Sequence, residues 1–168
     1  APTYTEEPVS AGDPAEITEI HSMKKVESII RMDLELSVPW VLGADTLICK
    51  DGKIFGKPSS REEAESMIRL FSGTSHNVVT SISLFDSTTN FITSKTCTST
   101  VFFSELDDEE ISSYLDSGEW QGVAGAYRIQ SRAAYYIHRI EGSWSGIVGL
   151  PIHSLYAILR EHGYRFTD

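Results

Sequence analysis

Two runs rich in β-branched and aromatic residues, 76–85 and 91–103, are separated only by the polar stretch Asp86-Ser87-Thr88-Thr89-Asn90. Segments of that composition on either side of a short polar turn should pair as antiparallel neighbours, so a β-sheet with a long hairpin at its centre is the first constraint on this chain. Helical patterns surround it. Upstream, Asp13 precedes Pro14, a favourable cap and first helical position, and Ile17, Ile20, Met23, Ile29 and Ile30 recur at roughly helical spacing to about Met32. That helix is expected to carry an apolar face and a basic flank at Lys24 and Lys25.

From Val38 to Cys49 the pattern turns to Val, Trp, Leu and Ile around Gly43-Ala44-Asp45-Thr46, and Asp51-Gly52 then reads as a hairpin turn returning through Lys53, Ile54 and Phe55. Ser59 or Ser60 can cap a further helix with Glu62 and Glu63 in its first turn and Ala64, Met67, Ile68 and Phe71 on one face, until Gly73 ends it. Beyond the central hairpin, a helix capped by Asp107 or Asp108 runs to about Leu115. A Gly-rich stretch, GEWQGVAGAY, follows, then a β-like run near residues 135–140 and a last helix from about Ile152 to His162, stopped by Gly163. Strands interleaved with helices indicate an α/β fold, a mixed twisted sheet flanked by helices. With no internal repeat and no linker, the 168 residues are expected to form a single domain.

The formal charge of −10, from 24 acidic against 14 basic side chains, argues against a broad footprint on a nucleic acid polymer or an anionic membrane. A small phosphate ligand needs only a few local cations and N–H groups, so nucleotides remain open. Cys49 and Cys97 have neither metal-ligand spacing nor the density of a disulfide scaffold and read as two reduced thiols. No segment approaches a membrane span of roughly 18 apolar residues. The opening APTYTEEP has neither the basic nor the apolar region of a signal peptide, and a cytoplasmic location is expected.

If the hairpin turns at Asp51-Gly52, the far ends of its strands bring Asp45 towards Lys57 of Gly56-Lys57-Pro58. A carboxylate that binds Mg²⁺ or orients a water, beside a lysine that neutralises phosphate charge, suits phosphate chemistry; an ordinary surface ion pair fits the same pattern equally well. Ser72-Gly73-Thr74-Ser75-His76 reads as a helix end with a turn-lining histidine, and His21, His138, His153 and His162, which share no ligand spacing, as surface or helix-end residues. Gly125 and its small neighbours permit close backbone approach, and Gln130 could read a base edge. Trp120, Tyr127 and Trp144 suit base stacking or the core. No zinc-protease, serine-hydrolase, Walker or Rossmann signature is present.

As an ordered set, VLGADTLICKDGKIFGKPSSREEAESMIRLFSGTSHNVVTSISL resembles the central signature of the Maf family: GADT, a hairpin, GKP, an amphipathic helix, then LSG-x-x-H-x-V-x-T. GEWQGVAGAYRIQ followed by IEGSWSGIVGLPIHSL resembles the family's second signature. The resemblance implies a fold shared with the inosine triphosphate pyrophosphatases, usually homodimeric, and hydrolysis of a nucleoside triphosphate to monophosphate and pyrophosphate with a divalent metal, Mg²⁺ or Mn²⁺. By position, it implies that Asp45 is the catalytic carboxylate, binding metal or activating water, and that Lys57 contacts phosphate. Thr46 and Gln130 match positions linked to base choice in the branch acting on dTTP and UTP. Lys25 matches a lysine on the phosphates, and Glu6, or failing that Glu7, an upstream metal-binding glutamate.

The family's pattern begins with a strand and an SxSPRR-like phosphate loop, which this chain, starting at Ala1, is expected to lack. Val123 stands where the family commonly has lysine, and Ser131 where it has glycine. The expectation is a pyrophosphatase for dTTP, UTP or modified pyrimidine nucleotides. The alternatives are a 7-methyl-GTP-preferring enzyme, which Gln130 disfavours, and a non-catalytic nucleotide-binding or partner-binding regulatory protein on the same scaffold.

Overall fold

A computed structural model describes Tyr4, residues 12–32 and residues 38–167. Helix α1 (Pro14–Met32) precedes strands β1 (Trp40–Lys50) and β2 (Lys53–Phe55), helix α2 (Arg61–Phe71), strands β3 (Ser75–Asp86) and β4 (Phe91–Phe103), helix α3 (Asp108–Asp116), strand β5 (Ile137–Glu141) and helices α4 (Trp144–Val148) and α5 (Ile152–Glu161). The strands form one sheet in the order β2-β1-β3-β4-β5. The expected sheet flanked by helices is what forms, but its strand directions are more uniform than a mixed sheet, because all four pairings are antiparallel.

Local chemistry accounts for the turns and caps. Asp51 (φ 51°) and Gly52 (φ 76°) both lie at positive φ, as a two-residue hairpin loop requires. The Asp13 carboxylate accepts the Ala15 N–H at 2.9 Å and opens α1. Ser60, of the two candidates, caps α2 by accepting the Glu63 N–H. Asp107 caps α3 in a reciprocal box with Glu110.

Side chains alternate across a strand, and β1 shows what that separates. Its odd-numbered residues face α1, where Val26, Val41 and Phe85 form a small apolar cluster with Ile29 and Ile30. Its even-numbered residues face the main core, in which Ile48 and Val78 pack with Ile68 and Phe71 of α2, Ile111 and Tyr114 of α3, and Phe103. Ile158 of α5 extends that side over Ile82 and Leu84.

The docked face of α1 differs from the apolar one expected. Its buried residues are Thr18, His21, Ser22 and Val26, whereas Ile20 is exposed. Thr18 Oγ1 meets Ser81 Oγ at 2.7 Å and Ser22 Oγ meets Ser83 Oγ at 2.7 Å. Each chain of hydroxyls continues into β4, through Thr96 and Ser94 respectively. Small polar residues let the helix sit close: a Cβ placed on Gly43 would lie 2.4 Å from the Ser22 carbonyl oxygen.

Candidate functional site

The close seat of α1 brings Lys25 onto Asp45. The Lys25 ammonium donates to Asp45 Oδ1 at 2.7 Å and to the Ala44 carbonyl at 2.9 Å. On the other side of the carboxylate, His21 Nδ1 lies 3.4 Å from Asp45 Oδ2. Asp45 is only 6% exposed, so a negative charge is held in a nearly closed setting beside a cation, where electrostatic interactions act at greater strength than in water. The expected neighbour of Asp45 was Lys57; the structure supplies Lys25 from α1 instead. His21, expected at the surface or at a helix end, lies within α1 and is buried against the carboxylate.

Thr46, one residue on, faces the other way. Its Oγ1 pairs with Thr80 Oγ1 at 2.9 Å, and the Thr80 hydroxyl donates to the Gly146 carbonyl at 2.8 Å. On this side a cleft of about 340 Å³ opens, lined by Thr46, Lys57, Val123, Tyr127, Gln130 and Ile147 among others. Thus two groups of sequence-predicted residues form, Asp45 with Lys25 on one face of β1 and Thr46, Lys57 and Gln130 around a cleft on the other. Glu6 and Glu7 lie outside the described residues.

The segment that carries Gln130 is tied from several directions. Gly125 N–H donates to the Gly56 carbonyl at 3.0 Å, joining the segment to the loop that bears Lys57. Gly125 has φ +63°, and a Cβ there would come within 2.5 Å of Ile48 Cδ1, so this turn requires glycine. Ala126 is also left-handed, at φ 63°, a conformation that costs a non-glycine residue about 1 kcal/mol. The Tyr114 hydroxyl donates to the Ala126 carbonyl at 2.9 Å, and Arg128 donates to the carbonyls of Glu119 and Gln121. Tyr127 is buried in this turn and Trp120 packs against the main core, while Trp144 is exposed on α4.

Sequence reading passed over two contributors, His21 and the Tyr127–His76 contact. A helical count from Lys25 finds His21 one turn earlier, on the same face, and that signal was available. His76, expected to line a turn, is instead buried within β3, and its Nε2 lies 2.7 Å from the Tyr127 hydroxyl across many intervening residues.

Among the described residues no group of three or more His, Cys, Asp or Glu side chains converges as a metal cage. A single carboxylate is nevertheless a fitting donor for a hard divalent cation that draws its other ligands from phosphate oxygens and water, as Mg²⁺ does, and Asp45 is such a donor. Among the described residues no helix is long and apolar enough to cross a membrane. Both cysteines are free thiols.

A family model described as Maf-like protein matches residues 1–162. A dTTP/UTP pyrophosphatase of Treponema denticola is 39% identical over 171 residues, covering 96% of this chain and 84% of the relative. A dTTP/UTP pyrophosphatase of Pelotomaculum thermopropionicum is 38% identical over 159 residues, covering 95% of this chain and 82% of its own. One from Hydrogenovibrio crunogenus is 45% identical over a shorter stretch of 125 residues, 74% of this chain and 64% of the relative.

Proposed function

This chain belongs to the Maf-like protein family, and on that premise we propose that it is a nucleoside triphosphate pyrophosphatase that cleaves between the α and β phosphates, with dTTP, UTP or modified pyrimidine nucleotides as substrates. The observation that carries the proposal is the pairing of a buried carboxylate with a lysine, Asp45 with Lys25, on the strand whose opposite face opens into a nucleotide-sized cleft. Asp45 orients the water that attacks the α phosphorus. Lys25 and Lys57 neutralise charge on the phosphate oxygens, and pyrophosphate leaves. Thr46 and Gln130 meet the base, Gln130 offering both a donor and an acceptor to a pyrimidine edge. A nucleotide with its base in the cleft reaches Asp45 past the edge of β1 ahead of Ile48, the point at which pairing with β2 ends.

Mg²⁺ or Mn²⁺ would be held by Asp45 together with substrate phosphates, with Glu6 as the second carboxylate, and would supply charge neutralisation at the scissile phosphate. The active form is a homodimer, for which Trp144, Val148 and Ile152 offer exposed apolar surface on α4 and the start of α5.

The test is pyrophosphate release from a panel of canonical and modified nucleoside triphosphates, 7-methyl-GTP included, with either cation. The expected result is turnover of dTTP and UTP that Asp45→Asn lowers by about 10²–10⁴-fold. Full turnover by that variant would remove Asp45 from its role, and nucleotide binding without any pyrophosphate release would favour a regulatory binding protein. Sedimentation at the 18.7 kDa monomer mass would refute the dimer.

A further inference from the structure

His76 is an odd choice for the centre of an aromatic core. It is 3% exposed, stacks on Phe71 with ring centroids 4.1 Å apart, and lies near Phe103 and Tyr127. Its Nδ1 is buried, with no hydrogen-bond partner among the described residues. A buried polar nitrogen without a partner is destabilising, so packing alone would favour Leu or Phe in this place. What an apolar side chain could not supply is the 2.7 Å hydrogen bond between Nε2 and the Tyr127 hydroxyl.

That bond leads to the cleft. Tyr127 is one of its lining residues, and it follows two consecutive left-handed residues, Gly125 and Ala126. The ties already described hold this segment to α3, to the Gly56 carbonyl and to the loop at Glu119 and Gln121. The Tyr127 side chain holds it to the central sheet, through β3. Gln130 stands three residues further on, exposed at the cleft. A strained turn keeps its geometry only while its surroundings over-determine it.

We propose that His76 is a positioning residue for the nucleotide cleft: by holding the Tyr127 hydroxyl it fixes residues 124–130 against the sheet and sets Gln130 where the base is read. This rests on the pyrophosphatase function proposed above. Burial, and to a smaller degree the nearby Lys50 ammonium, push the His76 imidazole down to about 3, so the ring stays neutral and the clamp stays intact throughout the neutral pH range.

The test compares His76→Leu, Tyr127→Phe, the double variant and the conservative His76→Gln. Steady-state kinetics on dTTP, UTP, CTP and GTP are combined with amide hydrogen exchange of residues 124–131 and thermal melts. Removing either partner should raise KM for the best pyrimidine nucleotide roughly tenfold while leaving kcat within about threefold, the pattern of lost binding rather than lost chemistry. The preference for that nucleotide over the poorest should fall by a similar factor, and exchange in residues 124–131 should quicken about tenfold, as one lost hydrogen bond implies. His76→Gln should recover most of both, and the double variant should be no worse than either single one.

Folded variants with altered melting but unchanged KM, preference and exchange would overturn the proposal and leave His76 as a core residue. If His76→Leu does not fold, Tyr127→Phe, which removes one oxygen and keeps the ring, decides the matter with the same readouts. An unsubstituted protein inactive on every nucleotide would sink the pyrophosphatase assignment, and the exchange measurement would still show whether the clamp exists.

Discussion

Replacing Gly43 by Ala adds one methyl group at the tightest contact between α1 and the sheet. Its Cβ would lie 2.4 Å from the Ser22 carbonyl oxygen and 2.8 Å from Val26 Cγ2. The first of these is helix backbone, which cannot rotate away, so α1 has to lift by roughly 0.8–1 Å to restore an ordinary contact. Such a shift stretches the Thr18–Ser81 and Ser22–Ser83 contacts, both 2.7 Å, to the limit of hydrogen bonding. Two weakened hydroxyl pairs at about 1 kcal/mol each, with overpacking of about 1–2 kcal/mol, place the loss near 3–4 kcal/mol. For a chain of this length that is a fall in Tm of roughly 5–15 °C.

The same displacement withdraws Lys25 from Asp45, and a misplacement of about 1 Å at a reacting centre lowers activity by about 10²-fold. Calorimetry gives the first quantity. Pyrophosphate release, measured well below the melting range, gives the second. Gly56→Ala is the control, since a Cβ there meets nothing within 4 Å, and its Tm should barely move. A Gly43→Ala protein with unchanged Tm and kcat/KM would refute the close seat of α1. One that loses stability but keeps activity would break the link from helix seat to catalytic pair.

Two further outcomes follow from the polar contacts. Ser22→Ala and Ser83→Ala should each destabilise by about 1–2 kcal/mol and the double variant by clearly less than their sum, because removing both hydroxyls leaves neither orphaned; additive losses in urea titrations would show that the pair is not formed. Asp86 accepts from the Thr88 hydroxyl and N–H and from His162, which holds its carboxyl well below the ordinary value of 3.8. Because the folded state binds this proton less readily than the unfolded one, the stabilisation is complete above about pH 4 and is lost as pH falls through the depressed folded value. Asp86→Asn should therefore melt lower than the parent at pH 5 and show a shallower decline of Tm between pH 4 and 2; parallel curves would exclude this carboxylate from the acid response.

What could be read from the residues was governed by range. The span of α1, the Asp51-Gly52 turn and the two central strands obey local rules and stand close to where periodicity and turn chemistry put them. Helix α4 and the short 3₁₀ turns at Ala124–Ala126 and Arg132–Tyr135 span at most five residues, too few to show a period, and were not anticipated. The pairing of Asp45 with Lys57 was inferred from hairpin closure, yet continuing the observed register of Ile48 with Phe55 sets Lys57 across from Thr46. A shift of one residue changes the face, and with it the partner. Lys25 reaches Asp45 only because α1 docks on the odd-numbered face of β1, a tertiary fact. The buried stripe of that helix was mistaken because Thr18 and Ser22 carry no hydrophobic signal; only their match with Ser81 and Ser83 gives them meaning.

That match behaves as a vernier. Four residues of helix advance about 6 Å and two residues of strand about 6.8 Å, so Thr18, Ser22 and Val26 fall in step with Ser81, Ser83 and Phe85. The scales agree over these three marks and drift apart beyond them. Sliding α1 by one residue would rotate every mark away together, and sliding it by a turn would set a hydroxyl against Phe85 or Val26 against a serine. The helix therefore has one position along the sheet, and the distance from its last hydroxyl mark to Lys25 is how the chain measures out the place of a charge.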